Sequence, residues 1–418
     1  MSFQASIIKN EYVFSVLTRI LNLTVSIIQA VLVARYLGPT LKGNSAFIAS
    51  IIAVGSIVIT FGMHQAYPYY RRIKGKDKIF KPFMSVTYAI YGFYFAISII
   101  LSLFFDKDIA ISLILMPLFG YSRVVDYVCL IENPNERNRI TLHITVLSLF
   151  LIAILYFFTL ANYFWMVLLL AFSQIVTAFI FTIKLRCSPV YDITSVLFFK
   201  SLFRFGFFPM LALLMTTLNY KIDVLMLKQY DYIDYAMIGV YSIGIGLADK
   251  IVVIPDTLKG VLVSKLSKGM PNTEVAKVTR LCFMSCLLLC LFILLIGKWA
   301  ISFLYGHEYD GAYYVVLITS LGALFIGYFK LIAQYNIINR KQVLNVKMLL
   351  ISIIVNVCGN ILFVPIWGIN GAAVSTSIGN LVCGFVFLLY FSKSTSIPLV
   401  DMIIIKRSDL KILKSLIK

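Results

Sequence analysis

The sequence predicts an all-α polytopic membrane protein of about 12 transmembrane helices in two six-helix lobes. Three observations carry that prediction. First, 61% of the 418 residues are hydrophobic and only 13% charged, with a mean hydropathy of +0.93. A soluble globular chain runs nearer half apolar and a quarter charged, and a chain this long cannot bury so much apolar surface in a water-soluble core. Second, apolar runs of roughly 20 residues or more recur along the whole chain, without the ~10-residue alternating segments of a β-barrel. Third, lysine and arginine concentrate in alternate gaps between those runs. Soluble enzymes, disordered chains and secreted disulfide scaffolds are excluded together.

The runs fall at about 12–37, 44–67, 83–105, 109–130, 140–160 and 162–183, then at about 204–227, 235–258, 280–304, 311–336, 345–365 and 370–391. The polar stretch 184–203 separates an N-terminal lobe, 1–190, from a C-terminal lobe, 191–392. The basic tail 393–418 interleaves isoleucine and leucine with lysine and reads as an interfacial helix. One set of gaps holds Arg71, Arg72, Lys74, Lys76, Lys78, Lys81, Arg137, Arg139, Lys259, Lys265 and Lys268. The opposite set holds little beyond Arg35, Lys42, Lys107, Lys228 and Lys298. By the positive-inside rule the rich side is cytoplasmic, and both termini are expected there. The net charge of +19 then reports topology and contact with anionic membrane lipids, not nucleic acid. The 7 cysteines lie in or beside apolar runs and show no disulfide framework; Cys282, Cys286 and Cys290 read as helix packing.

Ionisable residues inside the spans carry the functional signal. Arg19, Arg123, Lys221, Lys250 and Lys330 fall within runs, with Asp126, Asp223 and Asp249 and, near one end, Asp256. A base facing lipid costs about 2.5–3.5 kcal/mol, so these side chains are expected to face a wet cavity or one another. Ser15, Arg19, Asn22, Ser26 and Gln29 form one helical stripe; Ser56, Thr60 and His64 form another; Ser352, Asn356 and Asn360 a third. Arg19, Asn22, Arg123, Lys221, Lys250 and Lys330 are the expected cavity residues for an anionic substrate, because charge-assisted hydrogen bonds suit a phosphate or diphosphate. Asp223 and Asp249 are the candidates for coupling to H+ or Na+. Two pairings are open from spacing: Arg123 with Asp126, three residues apart on one helix, and Lys250 with Asp223 across helices. His64 reads as a satisfied histidine, and the loop with His307, Glu308 and Asp310 as no metal site. No phosphate-binding glycine loop, nucleophile elbow or zinc motif is present, so neither an enzyme nor an ATPase is expected and no cofactor is implied.

Several motifs resemble a known family. They are Ala34-Arg35-Tyr36-Leu37-Gly38-Pro39, Phe205-Gly206-Phe207-Phe208-Pro209, Asn219-Tyr220-Lys221-Ile222-Asp223, Gly239-Val240-Tyr241-Ser242, Leu304-Tyr305-Gly306-His307 and Gly368-Ile369-Asn370-Gly371. In this order, over roughly residues 10–392, they resemble the polysaccharide-export branch of the multidrug/oligosaccharidyl-lipid/polysaccharide (MOP) exporters, best the Wzx-type O-antigen flippases. The resemblance implies a V-shaped bundle in a bacterial inner membrane that flips undecaprenyl-diphosphate-linked oligosaccharide by alternating access for lipopolysaccharide or related polysaccharide. It implies cavity roles for Asp223 and Lys221, and partners among the polymerase and chain-length proteins of such a pathway. An arginine, Arg19, stands where drug exporters of the superfamily often carry an acid in span one, which counts against cation antiport. Two alternatives remain: a cation-coupled MATE-like small-molecule exporter, and a flippase for another polyprenyl-linked glycan such as teichoic or capsular units.

Overall fold

The computed structural model describes residues 2–185, 193–266, 269–339, 341–404 and 406, and among these the chain is helical with no strand. Within hydrocarbon only hydrogen bonds made inside a segment can satisfy the backbone, so a chain of apolar runs becomes a chain of helices. They are α1 (Ser2–Thr60), α2 (Met63–Lys74), α3 (Lys76–Ser102), α4 (Lys107–Glu132), α5 (Pro134–Phe158), α6 (Tyr163–Leu185) and α7 (Ile193–Leu227). There follow α8 (Tyr235–Ala248), α9 (Val253–Leu266), α10 (Asn272–Tyr305), α11 (Ala312–Ile338), α12 (Gln342–Trp367), α13 (Ile369–Thr395) and the short α14 (Val400–Ile403).

Among the described residues ten helices are long and apolar enough to cross a bilayer, or eleven with α8 and α9 taken as one bent span. The first of the ten runs 50 residues, Thr24–Ile73. At 1.5 Å per residue it reaches about 75 Å, more than twice the hydrocarbon core. Gly38, in the left-handed region at φ 66 and followed by Pro39, breaks α1 where spans one and two were expected to meet. The twelve expected spans therefore appear as ten or eleven helices, one of them of double length.

The described chain forms two compact units, Met1–Thr217 and Leu218–Lys418. The division falls inside α7, which contributes residues to both. In the first unit Tyr36, Ile48 and Ile52 of α1 pack with Leu115, Ile152 and Met166 of α4, α5 and α6. A second cluster gathers Tyr67, Phe83, Tyr91, Val124, Val128 and Phe181. Between α1 and α2 the chain turns through Phe61 and Gly62, both at positive φ. A Cβ on Gly206 would lie 2.2 Å from the Phe61 carbonyl oxygen, so glycine is what lets the α7 backbone close on this turn. The Phe61 ring stacks on Phe203 at 3.6 Å between centroids.

In the second unit α11 is the most enclosed helix, with 72% of its apolar window buried. It meets α13 through small residues. A Cβ on Gly384 would lie 2.1 Å from the Phe325 carbonyl, and one on Gly322 2.6 Å from Ser377 backbone atoms. Such close approach is how helices gain contact where lipid offers no hydrophobic drive. The bend between α8 and α9, 46°, has a local cause. Pro255 lacks an N–H and its ring crowds the carbonyl four residues back, which is that of Ile251. That carbonyl instead accepts from the Cys286 thiol at 3.7 Å. Cys282, Cys286 and Cys290 all lie buried along α10, as packing requires.

Of the basic tail, residues 407–418 lie outside the described residues. Before them, α14 docks on the second unit: Met402 is fully buried, Arg280 donates to the Asp401 carbonyl and the Tyr328 hydroxyl to the Met402 carbonyl at 3.1 Å.

Gly384→Val forces α11 and α13 apart, at a cost of about 1–3 kcal/mol. The expected result is a lower melting temperature in detergent; an unchanged melting curve contradicts the close contact.

Candidate functional site

Two intramembrane pairings differ from those open in the sequence. Asp126 is taken by Arg137, in a bidentate pair with both N···O distances at 2.8 Å. Arg137 lies just past the α4–α5 turn, and the two antiparallel helices bring it onto Asp126. Arg123, three residues before Asp126 on the same helix, makes no ion pair among the described residues. Its Nη1 is buried without a hydrogen-bond partner. His64, 4% exposed, is likewise not satisfied on both ring nitrogens, since Nδ1 has no partner; its ring meets Tyr127 edge-on at 5.2 Å. Arg123 is the charged side chain acting on His64, and near them the Tyr91 hydroxyl donates to Thr60 at 2.8 Å. A half-buried guanidinium that pairs with no carboxylate among the described residues thus stands among α2, α3 and α4.

At one end of the same helices Glu132, with a side chain 3% exposed, accepts from Tyr67 at 2.6 Å, from Arg71 at 2.5 Å and from Lys76 at 3.0 Å. This pins α2 and the start of α3 to the end of α4. Of the expected stripe on α1, Ser15 and Arg19 have side chains outside the described residues. Asn22 is half-buried with Oδ1 lacking a partner.

In the second unit the acids and amides come together. Asp223 on α7 is 2% exposed. It accepts from Asn360 Nδ2 of α12 at 2.8 Å and from Thr376 Oγ1 of α13 at 2.7 Å. Lys250 does not reach it: that lysine is exposed, and no base pairs with Asp223 among the described residues. Asn360 also lies 2.9 Å from Asn356 Oδ1, while its own Oδ1 is buried without a partner. Asn219 bonds Asn380 at 3.0 Å and Ser352 at 2.9 Å, so Ser352, Asn356 and Asn360 serve a buried polar spine through α7, α12 and α13. Thr376 and Asn380 are the members not read from the sequence; the signal for Thr376 is the small polar run Ser375-Thr376-Ser377.

Asp249 ends α8 at the bend and is exposed. A small cavity joins it to Asp223, lined also by Tyr220, Thr319, Thr376 and Asn380. Lys221, Lys330 and Lys250 are the bases acting on Asp249, with Asp256 opposing them. Lys330 is not a free cavity base, because it bonds both Asp256 oxygens at 2.7 and 2.9 Å. Lys221 and Lys250 make no ion pair among the described residues. In the loop before α11 the Asp310 carboxyl is held below its ordinary range, first by the Ser302 hydroxyl of α10 and then by His307. No group of metal-binding side chains is found among the described residues.

The profile of the polysaccharide biosynthesis protein family matches residues 32–312. The chain belongs to that family. Among solved structures, this family member is similar to "Lipid II flippase MurJ, inward closed conformation", at 16% identity, with 94% of this chain and 88% of that chain covered and a TM-score of 0.69. It is similar to an inward-facing multidrug resistance MATE transporter of the MOP superfamily at 13% identity, with 90% and 98% covered and a TM-score of 0.66. A MOP superfamily transporter from Pyrococcus furiosus, described as having reversed polarity in its binding pocket, aligns at 13% identity, with 93% and 96% covered and a TM-score of 0.55. A search of curated proteins gives no significant match. This is a multi-pass membrane protein with the MurJ and MATE fold.

Replacing Glu132 by Ala strands Arg71 and Lys76 at the end of α4. The Arg71 and Lys76 side chains are 37% and 52% exposed, so the cost falls below that of a fully buried pair, at about 1–3 kcal/mol. The melting temperature is expected to fall by several degrees; no change contradicts the latch.

Proposed function

We propose that this chain flips undecaprenyl-diphosphate-linked oligosaccharide repeat units across the bacterial inner membrane by alternating access, for O-antigen or a related surface polysaccharide. The observation that carries the reading is Arg123, an intramembrane guanidinium whose nearest acid on its own helix is already taken by Arg137. An unpaired base in a membrane is costly and marks a substrate path. A diphosphate supplies the missing charge through bidentate, charge-assisted bonds. Lys221 and Lys250, which make no ion pair among the described residues, are the second unit's candidates for contact with an anion of this kind, and Arg19 and Asn22 are candidates in the first unit from the stripe they share in the sequence. Membership of a polysaccharide biosynthesis family and a fold shared with a lipid II flippase support the choice of a lipid-linked glycan. The polymerase and chain-length proteins of the same pathway are the expected partners.

Coupling to a small cation is assigned to Asp223. The residues present fit one: two carboxylate oxygens, the Asn356 and Asn360 amide oxygens and the Thr376 hydroxyl are hard donors of the kind such cations take, and Asn360 Oδ1 is a buried acceptor left without a donor. A bound H+ or Na+ there neutralises a carboxylate that no base pairs with among the described residues. The same feature favours the second reading, a cation-coupled small-molecule exporter, which needs Asp223 but not Arg123.

Complementation of a strain blocked in surface-polysaccharide export separates the two. At equal membrane levels Arg123→Ala is expected to cut polymer by about tenfold or more, the loss of one charge-assisted contact, with Arg123→Lys partly active. Full polymer with Arg123→Ala contradicts the flippase reading. Asp223→Asn is expected to impair export as well; unimpaired export removes the coupling.

A further inference from the structure

We propose that Asp249 is the intake carboxylate through which a proton from bulk water reaches Asp223. This rests on the reading of Asp223 as the coupling residue. Asp223 is 2% exposed and sealed by Asn360 and Thr376, so it cannot exchange with water directly. Asp249 is exposed, and both carboxylates line one cavity.

The backbone at Asp249 is built differently from the rest of the helix. From Lys250 to Ile254, five successive amides bond the carbonyl three residues back, at 3.0 to 3.4 Å, where a regular α-helix bonds four back. A stretch of this tighter winding inside a span marks a hinge, and broken spans are where transporters place their ion sites. Pro255 and the bend supply a reason for the break; a carboxylate at its edge is not needed for the break itself.

The cavity is lined by a third polar group, on a tyrosine whose ring faces the Lys330 ammonium at 5.6 Å. The Tyr220 hydroxyl is buried and has no hydrogen-bond partner, yet it lines the cavity with both acids. A phenol can accept a proton on oxygen while it gives up its own, alone or through a cavity water. In the step, an O–H bond forms at Asp249 with a proton from water. That bond then breaks as the oxygen of Tyr220, or of a water beside it, takes the proton; the O–H bond that oxygen already carried breaks in turn, and its proton forms a new O–H bond at Asp223. One proton moves and nothing is oxidised or reduced.

The groups facing the path are Tyr220, Lys221 and Asp223 from α7, Asp249 and Lys250 at the bend, Asp256 on α9, Lys330 on α11 and Cys383 on α13. Lys330 and Asp256 neutralise each other. Lys221 and Lys250 make no ion pair among the described residues.

The test follows proton uptake by the purified full-length protein in weakly buffered detergent after a stopped-flow acid jump, read with a pH dye. Uptake owed to Asp223 is the difference between a protein and the same protein carrying Asp223→Asn. Asp249→Asn is expected to slow that uptake on the order of a hundredfold, as loss of a placed proton-transfer group does, without lowering its final extent. Tyr220→Phe is expected to slow it too, and Asp249→Glu to keep most of the rate. Equal rates in wild type and Asp249→Asn overturn the relay while leaving the coupling intact. No uptake owed to Asp223 in wild type overturns the coupling reading and the relay with it. A rate that follows sodium concentration and ignores pH overturns the proton path. Where Asp249→Asn does not fold, Asp249→Ala is read in its place, with the same two outcomes.

Discussion

A charge inside hydrocarbon has no water to stabilise it, and in this protein several ionisable side chains in or at the ends of the spans are held by a partner. Asp126 is held by Arg137, Lys330 by Asp256, and Glu132 by Arg71 and Lys76. Each pair also fixes a helix contact: α4 with α5, α9 with α11, α2 and α3 with α4. Among the side chains without such a partner two stand out physically. Arg123 in the first unit is half-buried and Asp223 in the second is 2% exposed, and neither makes an ion pair among the described residues. One lacks an anion and the other lacks a cation. A protein that keeps such groups in a membrane against their cost keeps them for something that arrives and leaves.

The close-packed parts of the fold make room for those exceptions. Gly322 and Gly384 let α11 and α13 approach at backbone distance, and the spine of Asn219, Ser352, Asn360 and Asn380 ties α7 to α12 and α13. Asp223 is thereby held by donors from two helices at once, in fixed geometry. One side of this rigid group is bounded by the bend at Asp249–Val252, where Pro255 interrupts regular helical bonding. A stiff site beside a weak backbone segment is the arrangement that lets access change while coordination does not.

The sequence makes the spans legible because the bilayer imposes their length and polarity, and even the break at Gly38-Pro39 falls at an expected span boundary. It also makes Asp223 legible, as an acid within an apolar run. What it hides is pairing. Spacing offers Arg123 to Asp126 because they are three apart on one helix, but the α4–α5 turn brings a better placed arginine. Lys330 and Asp256 are 74 residues apart, a distance at which nothing in the linear pattern tells partners from bystanders. Lys330 therefore reads as a free cavity base when it is a neutralised one. Thr376 escapes notice for the same reason: a threonine in an apolar run is ordinary until another helix sets a carboxylate against it.

The central claim is that an anion and a cation complete the two unopposed charges in one transport cycle. The direct measurement is reconstitution of the pure protein in liposomes carrying a short-chain polyprenyl-diphosphate glycan with a fluorescent sugar, followed by quenching from outside. Flipping is expected only with protein present, and faster when a proton or sodium gradient is imposed across the membrane than when none is. Protein-dependent flipping that ignores both gradients would contradict the link between the two charges, and no protein-dependent flipping would contradict the claim as a whole.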